Sequence, residues 1–156
     1  MFRPTWDKTW MDAAQVIAQR ARCDRRHVGA IVTNYDRFIA SGYNGPPAGY
    51  PGEGGCGDWC PRAMTMQGGP GYVNCVAVHA EINALLFADR SAIEGGTLYV
   101  TAMPCWDCAR AIANSGVSRV VFPVDWTEDA PRDPDRLLKF LDDCGLAFTV
   151  YNQALL

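Results

Sequence analysis

The chain contains no run of about 18 apolar residues, the length a helix needs to cross a bilayer, so a membrane-spanning helix is excluded. It also has no basic excess. Its 14 Lys and Arg stand against 17 Asp and Glu, a formal net charge of -3. Binding a long nucleic-acid backbone leaves a basic stripe, and here there is one short cluster, Arg20, Arg22, Arg25 and Arg26. Long nucleic acid is therefore not the expected partner. Residues Met1 to Asp7 lack an apolar signal core, which sets the expectation of a cytoplasmic protein, and no internal repeat is visible. What remains is ordinary for a soluble globular chain: 49% apolar and 20% charged residues. At 156 residues one domain, 1–156, is the expectation. Seven cysteines in such a chain read as metal ligands with one or two buried thiols, rather than as a disulfide framework.

Two short motifs carry chemistry. His79-Ala80-Glu81 lies upstream of Pro104-Cys105-Trp106-Asp107-Cys108, and together they offer three zinc-type ligands and one carboxylate that need not be a ligand. Structural zinc sites close with four protein ligands, whereas catalytic ones keep three and leave a position for water. Pro before Cys-x-x-Cys suits a helix start, because Pro is tolerated in the first turn and residues three apart share a face. The run from Asn83 to Ala88 is helical in character, so His79 and Glu81 also sit near a helix start. Two helix N-termini, each with partial positive charge, then converge and favour thiolates. Alone, the Cys-x-x-Cys could be a redox pair, and the His-x-Glu could be chance. Together, the rival is a closed structural site, which has no task for Glu81. The H-x-E and P-C-x-x-C pair marks zinc deaminases acting on nucleobases.

Periodicity supplies a scaffold. Trp6, Trp10, Ala13, Ala14, Ile17, Ala18 and Ala21 recur at helical spacing, predicting an amphipathic helix from about Thr5 to Cys23 with its tryptophans in the core. His27–Thr33 and Arg37–Tyr43 are apolar runs joined by Asn34-Tyr35-Asp36, a hairpin signal. From about residue 44 to 78 the chain is rich in Gly and Pro, an unusually long insertion loop. Beyond it the predicted elements alternate: helix His79–Asp89, strand Thr97–Thr101, helix Cys105–Asn114, strand Arg119–Phe122, helix Asp133–Asp143, strand Leu146–Tyr151. Such alternation implies an α/β fold with a partly parallel sheet between helices. Gly116 and Gly145 stand where left-handed helix caps are expected.

With these motifs, Val28-Gly29-Ala30 and Gly42-Tyr43-Asn44-Gly45-Pro46-Pro47-Ala48-Gly49 make the chain resemble the deoxycytidylate deaminases, from about Trp6 to Tyr151. The resemblance implies the cytidine deaminase-like three-layer α/β/α sandwich with a mixed five-stranded sheet, and hydrolysis of dCMP to dUMP and ammonia. It implies that His79, Cys105 and Cys108 hold a catalytic Zn2+ and that Glu81 carries protons, to N3 of the pyrimidine and then to the departing amine. Substrate contacts are expected from Val28, Ala30, Asn44 and Ala80. Asn44 offers a donor and an acceptor for the sugar, against the plainer reading of a turn asparagine. Arg25, with Arg26 as second choice, is expected at the substrate phosphate, against that of a solvated charge. The family is commonly homo-oligomeric, often hexameric, with dCTP and dTTP as effectors.

Two stretches differ from the family pattern. Where many members carry a tyrosine that packs on the base, this chain has Pro123-Val124-Asp125-Trp126-Thr127; Trp126 can stack in its place or lie at a surface, which leaves tolerance of 5-substituted cytosines open. Some members hold a second, structural zinc with cysteine and histidine. Here, with only His27 and His79, the counterpart is a four-cysteine set, Cys23, Cys56, Cys60 and Cys75; unpaired thiols or a disulfide are the alternatives. Cys144 reads as a buried helix-end thiol. The competing functions are a polynucleotide deaminase acting on transfer RNA or single-stranded DNA, which the zinc motif permits, and a silent zinc-binding interaction module, which leaves Glu81 without a purpose.

Overall fold

A computed structural model describes residues 3–52, 54–64, 74–123 and 133–152. In chain order the elements are α1 (Trp6–Ala18), β1 (Gly29–Asn34), β2 (Arg37–Tyr43), a single 3-10 turn (Cys56–Asp58), α2 (Pro61–Met64), α3 (Ala80–Leu86), α4 (Arg90–Ile93), β3 (Thr97–Val100), α5 (Trp106–Ala113), β4 (Arg119–Phe122), α6 (Pro134–Asp143) and β5 (Ala147–Val150). The strands form one mixed sheet in the order β2-β1-β3-β4-β5. β1 runs antiparallel to both β2 and β3, whereas β3, β4 and β5 are parallel. The expected mixed five-stranded α/β architecture is what the chain adopts.

The hairpin uses Tyr35 (φ 48°) and Asp36 (φ 56°) as its two central residues. Two successive left-handed residues make a turn whose twist matches that of the strands it joins. Within β3 and β4 the side chains alternate, so that Leu98, Val100, Val120 and Phe122 enter the larger core under α3, α5 and α6, while Tyr99 and Val121 face α1 and pack on Met11. Both faces of the sheet are thus covered, three layers in all.

α1 is shorter than its sequence period predicts. Thr5 caps it by accepting the Lys8 N–H at 3.2 Å, but Gln19, Arg20 and Ala21 each bond three residues back and Arg22 donates instead to the Asn44 carbonyl. A tertiary bond ends the helix. Its tryptophans divide: Trp10 is half-buried and packs against Met11, Tyr99 and Val121, as expected of a core residue, whereas Trp6 is 43% exposed and stacks on Trp10 with ring centroids 5.9 Å apart. The helix lies too close to β1 for large rings, because a Cβ on Gly29 would sit 2.1 Å from the Ala14 carbonyl oxygen. Met11, Ala14 and Ala18 therefore form the buried stripe.

The same device works on the opposite face. A Cβ on Gly42 would lie 2.2 Å from the Ala80 carbonyl oxygen and 2.4 Å from the Ala84 nitrogen, so β2 and α3 pack backbone to backbone only with glycine there. Cys144 is exposed, contrary to the expectation of a buried thiol. It caps the C-terminal end of α6, inside a turn in which Gly145 donates to Asp142 and Leu146 donates to Leu141. That geometry rotates Leu146 inward and Cys144 outward.

The stretch from 44 to 78 is more organised than its composition predicts. Gly45 and Val78 bridge its ends, N–H to carbonyl in both directions at 3.2 and 2.8 Å. Cys56, Trp59 and Cys60 form a small core of their own, with Cys23, Tyr50 and Cys75 packed around it. Its described part is a lobe with its own interior.

Candidate active site

Three of the sequence-selected ligands meet where two helices begin. His79 is the residue before α3 and Cys105 the residue before α5; neither side chain caps its own helix. The Gly45–Val78 bridge fixes the backbone immediately ahead of His79. Cys108 follows one turn into α5, on the face that carries Cys105. The donor atoms of His79, Cys105 and Cys108 lie within 4.8 Å of one another, with His79 Nδ1 3.3 Å from Cys108 Sγ and 3.5 Å from Cys105 Sγ. Zinc bonds of about 2.0 Å to nitrogen and 2.3 Å to sulfur, at tetrahedral angles, set an N···S edge of about 3.5 Å. One imidazole and two thiol groups at that separation fit zinc. Among the described residues no second set of three donors draws within 4.8 Å.

The protonation of the pair is lopsided. A hydrogen bond from Cys108 is the main reason that Cys105 is pushed down to about 4, against the effect of burial and with help from His79. Cys108 moves the other way, raised by its bond to Cys105, by burial and by the Glu81 carboxylate. A divalent cation held there would require both thiols to be deprotonated, because thiolates bind metal only in that form.

Glu81 is 4% exposed. It lies within hydrogen-bonding reach of Cys108 but outside the three-donor set. Carboxylates are seldom this buried without a partner or a task. A cavity of about 300 Å³ opens beside it, and Cys23, Arg25, Arg26, Val28, Asn44, Cys56, Cys60, Cys75, His79, Ala80, Glu81 and Cys105 all line it. Most residues selected from sequence therefore share one space. Ala30 does not: it is fully buried in β1 and has no surface to offer a substrate. Trp126 lies outside the described residues.

Asn44 both lines the cavity and holds its wall together. Its Oδ1 accepts the Val28 N–H and its Nδ2 donates to the Arg26 carbonyl, each at 2.8 Å. Reading the sequence missed Arg62, Ala63, Ala77, Ala102 and Met103 in the lining. The only signal for Arg62 is its place two residues beyond Cys60, which no motif distinguishes.

The Cys56 and Cys23 sulfurs are 3.9 Å apart, and Cys60 and Cys75 form a second hydrogen-bonded pair. None of the seven cysteines is in a disulfide. Backbone N–H groups point at these sulfurs: Asp24 at Cys56, at 3.1 Å; Val76, Ala63 and Arg62 at Cys60; Ala77 at Cys75. Burial pushes Cys60 up, yet its amide donors outweigh burial and hold its thiol below the ordinary range.

A family model described as the cytidine and deoxycytidylate deaminase zinc-binding region matches residues 4–124. The chain is 46% identical over 129 residues to the deoxycytidylate deaminase of Mycobacterium phage D29, covering 79% of this chain and 98% of that protein. It is 37% identical to the deoxycytidylate deaminase of Schizosaccharomyces pombe, over 83% of this chain and 40% of the relative. Among solved structures, the dCMP deaminase of cyanophage S-TIM5 in complex with dCMP and dUMP superposes with a TM-score of 0.71 at 26% identity, covering 97% of this chain and 100% of that one. The three-donor site, the mixed sheet and a match that runs from the start of α1 past the end of β4 agree: the chain belongs to the zinc-binding cytidine and deoxycytidylate deaminase family.

Proposed function

We propose that the chain catalyses zinc-dependent hydrolytic deamination of dCMP to dUMP and ammonia, as a cytoplasmic enzyme supplying dUMP. The observation that carries this reading is a buried carboxyl, Glu81, set against a three-donor metal site at the wall of a cavity that also bears arginines. His79, Cys105 and Cys108 would hold zinc, which when bound supplies a water acidic enough to ionise near neutral pH. Every remaining step belongs to the chain. Glu81 takes the proton released by that water, delivers it to N3 of the pyrimidine and later protonates the leaving amine. Burial keeps its carboxyl from losing protons to bulk solvent.

Val28 and Ala80 frame the cavity beside the metal ligands. Asn44 reaches the sugar with its remaining N–H, since its other polar positions bind the backbone of residues 26 and 28. Arg25, backed by Arg26, neutralises the phosphate. Trp126 is retained as the residue that packs on the base. The relatives named deoxycytidylate deaminase support the choice of a mononucleotide, and so does the net charge of -3, which disfavours a polynucleotide.

The four cysteines of the lobe bind a second, structural zinc in this proposal. A tetrahedral thiolate site has S···S edges of about 3.8 Å, and the Cys23–Cys56 separation of 3.9 Å matches. Amide donors hold the Cys60 thiol below its ordinary range, whereas burial raises Cys56 and Cys75 in spite of theirs, so a cation among the four sulfurs would offset the cost of ionising them. Metal analysis decides: two zinc per chain is expected, and one in fully active protein overturns the second site. The active form is a homo-oligomer, a hexamer by family resemblance, tuned by dCTP and dTTP.

The deciding experiment challenges purified protein with dCMP, deoxycytidine, dCTP and a short cytosine-bearing oligonucleotide, with and without dCTP and dTTP as effectors. Ammonia should come fastest from dCMP. Release from the oligonucleotide alone would sink the mononucleotide reading.

A further inference from the structure

The cavity holds three arginines, and two of them, Arg25 and Arg26, come from the connection between α1 and β1. The third, Arg62, arrives from the cysteine lobe, as the second residue of α2. Building on the dCMP reading above, we infer that Arg62 is a second phosphate-recognising residue and that the lobe is the device that delivers it, so preference for nucleotide over nucleoside depends on how the lobe is held.

Charge is the first argument. Among the described lining residues the carboxylate is Glu81, at the metal end, while three guanidinium groups belong to the same cavity. A pyrimidine with its sugar is neutral, so a wall built with guanidinium groups matches a ligand that carries an anionic substituent. A phosphate monoester has three terminal oxygens and nearly two charges at neutral pH. One guanidinium engages two of those oxygens, leaving an oxygen and most of a charge for another.

The second argument is how Arg62 is placed. Ala63 and Met64 both donate to the Cys60 carbonyl at 2.9 Å, and the Cys60 sulfur accepts the N–H groups of Arg62 and Ala63. α2 therefore cannot move without Cys60. Cys60 in turn donates to Cys56 at 2.8 Å, and Cys56 Sγ takes the Asp24 N–H at 3.1 Å. Asp24 also accepts the Gly57 N–H at 2.6 Å. Next to it, Arg22 donates to the carbonyls of Gly52 and Gly54 at 2.8 and 3.1 Å, with its guanidinium 5.7 Å from the Trp59 ring centre. Residues 22–24 thus clamp the lobe and lead directly into Arg25. The two proposed phosphate ligands converge because one short segment is the root of both.

The test measures kcat and KM for dCMP and for deoxycytidine in wild type, Arg62→Ala, Arg62→Lys and Gly55→Ala, together with calorimetric binding of dUMP and deoxyuridine. Arg62→Ala should lower the dCMP-over-deoxycytidine ratio of kcat/KM by about 10-fold to 100-fold, through KM, with a matching loss of dUMP affinity. Arg62→Lys keeps the charge and the side-chain stem, folds in the same way and should recover part of the ratio. Gly55 touches no substrate, but a Cβ there would sit 2.0 Å from Asp24 Oδ1. Gly55→Ala should therefore prise the lobe from its clamp and shift KM for dCMP in the same direction by a smaller factor. An unchanged ratio in Arg62→Ala, or equal losses on both substrates, overturns the Arg62 assignment while leaving dCMP deamination intact. An unchanged ratio in Gly55→Ala overturns delivery by the lobe. Wild type that neither deaminates dCMP nor binds dUMP overturns the functional reading itself, and this inference with it.

Discussion

Two groups of cysteines meet at one cavity, through Cys105 on one side and Cys23, Cys56, Cys60 and Cys75 on the other, and are organised by opposite means. Cys105 and Cys108 are set by a helix that is part of the main core: Cys108, Ala109 and Ile112 are buried together against the sheet. Their spacing is a property of the fold. Cys23, Cys56, Cys60 and Cys75 sit on turns and a single 3-10 turn, and backbone amides converge on the sulfurs themselves. Their spacing is set by turns and by the hydrogen bonds made to the sulfurs. A rigid frame suits a centre whose geometry must be the same before and after each turnover. A lobe organised through its sulfurs depends on those thiols for its shape. The lesson is that identical side chains take on different duties according to whether secondary structure or the side chain itself fixes the position.

The comparison breaks most visibly at Glu81. Glu81→Gln preserves shape and removes the proton carrier, so kcat for dCMP should fall by about 100-fold to 10,000-fold while both metals stay bound. Rates by ammonia release, with zinc counted by atomic absorption, check this; equal rates would mean that the acid has no part in the chemistry. Gly42→Ala comes next. Its methyl would press α3, and with it His79 and Glu81, away from β2, at a cost of about 1–3 kcal/mol in stability. The lobe should be spared, so denaturant midpoint and activity fall together while lobe zinc is retained. A full zinc complement with normal activity would show that α3 tolerates the shift.

Cys60→Ser probes the other side. It should cut zinc from two to one per chain and speed proteolysis within residues 44–78, while zinc at His79, Cys105 and Cys108 persists. Loss of both metals at once would erase the distinction drawn above. The smallest effect belongs to the far face of the sheet, where Arg119 donates twice to Asp7, at 2.9 and 2.6 Å, and Tyr99 donates once at 2.9 Å. The Arg119 hydrogen bond holds the Asp7 carboxyl below its usual value of 3.8. A depressed carboxylate stabilises the fold at pH values above that of the unfolded chain, and the contribution disappears as pH falls through the lower, folded value. Asp7→Asn should cost about 1 kcal/mol at neutral pH and nothing in strong acid, leaving both zinc sites untouched; unfolding curves at several pH values read it out.

Strands and caps were legible because their signals are local. β4 spans Arg119–Phe122 as the apolar run predicts, and Gly116 and Gly145 take the left-handed angles expected after helices, φ 102° and 70°. The metal ligands were legible for the same reason: spacing along a helix start is nearly geometry. What sequence could not convey was tertiary. Trp6 is as periodic as a core residue yet stands exposed, while small residues, Ala14 and Ala18, take the stripe where α1 closes on Gly29. Arg62 carries no local mark at all, since its position depends on Cys60, Cys60 on Cys56, and Cys56 on Asp24, 32 residues earlier in the chain.

Asn44 changes how kinetics at the sugar must be read. Because its amide rivets the strip that carries Arg26 and Val28, removing it would take away the proposed sugar contact and loosen the strip that leads to the cavity arginines in the same stroke. A deficit measured for Asn44→Ala is therefore a sum. Only a thermodynamic cycle with Arg25→Ala, scored on nucleotide and nucleoside in parallel, separates the grip on the ribose ring from the tension of the strip behind it.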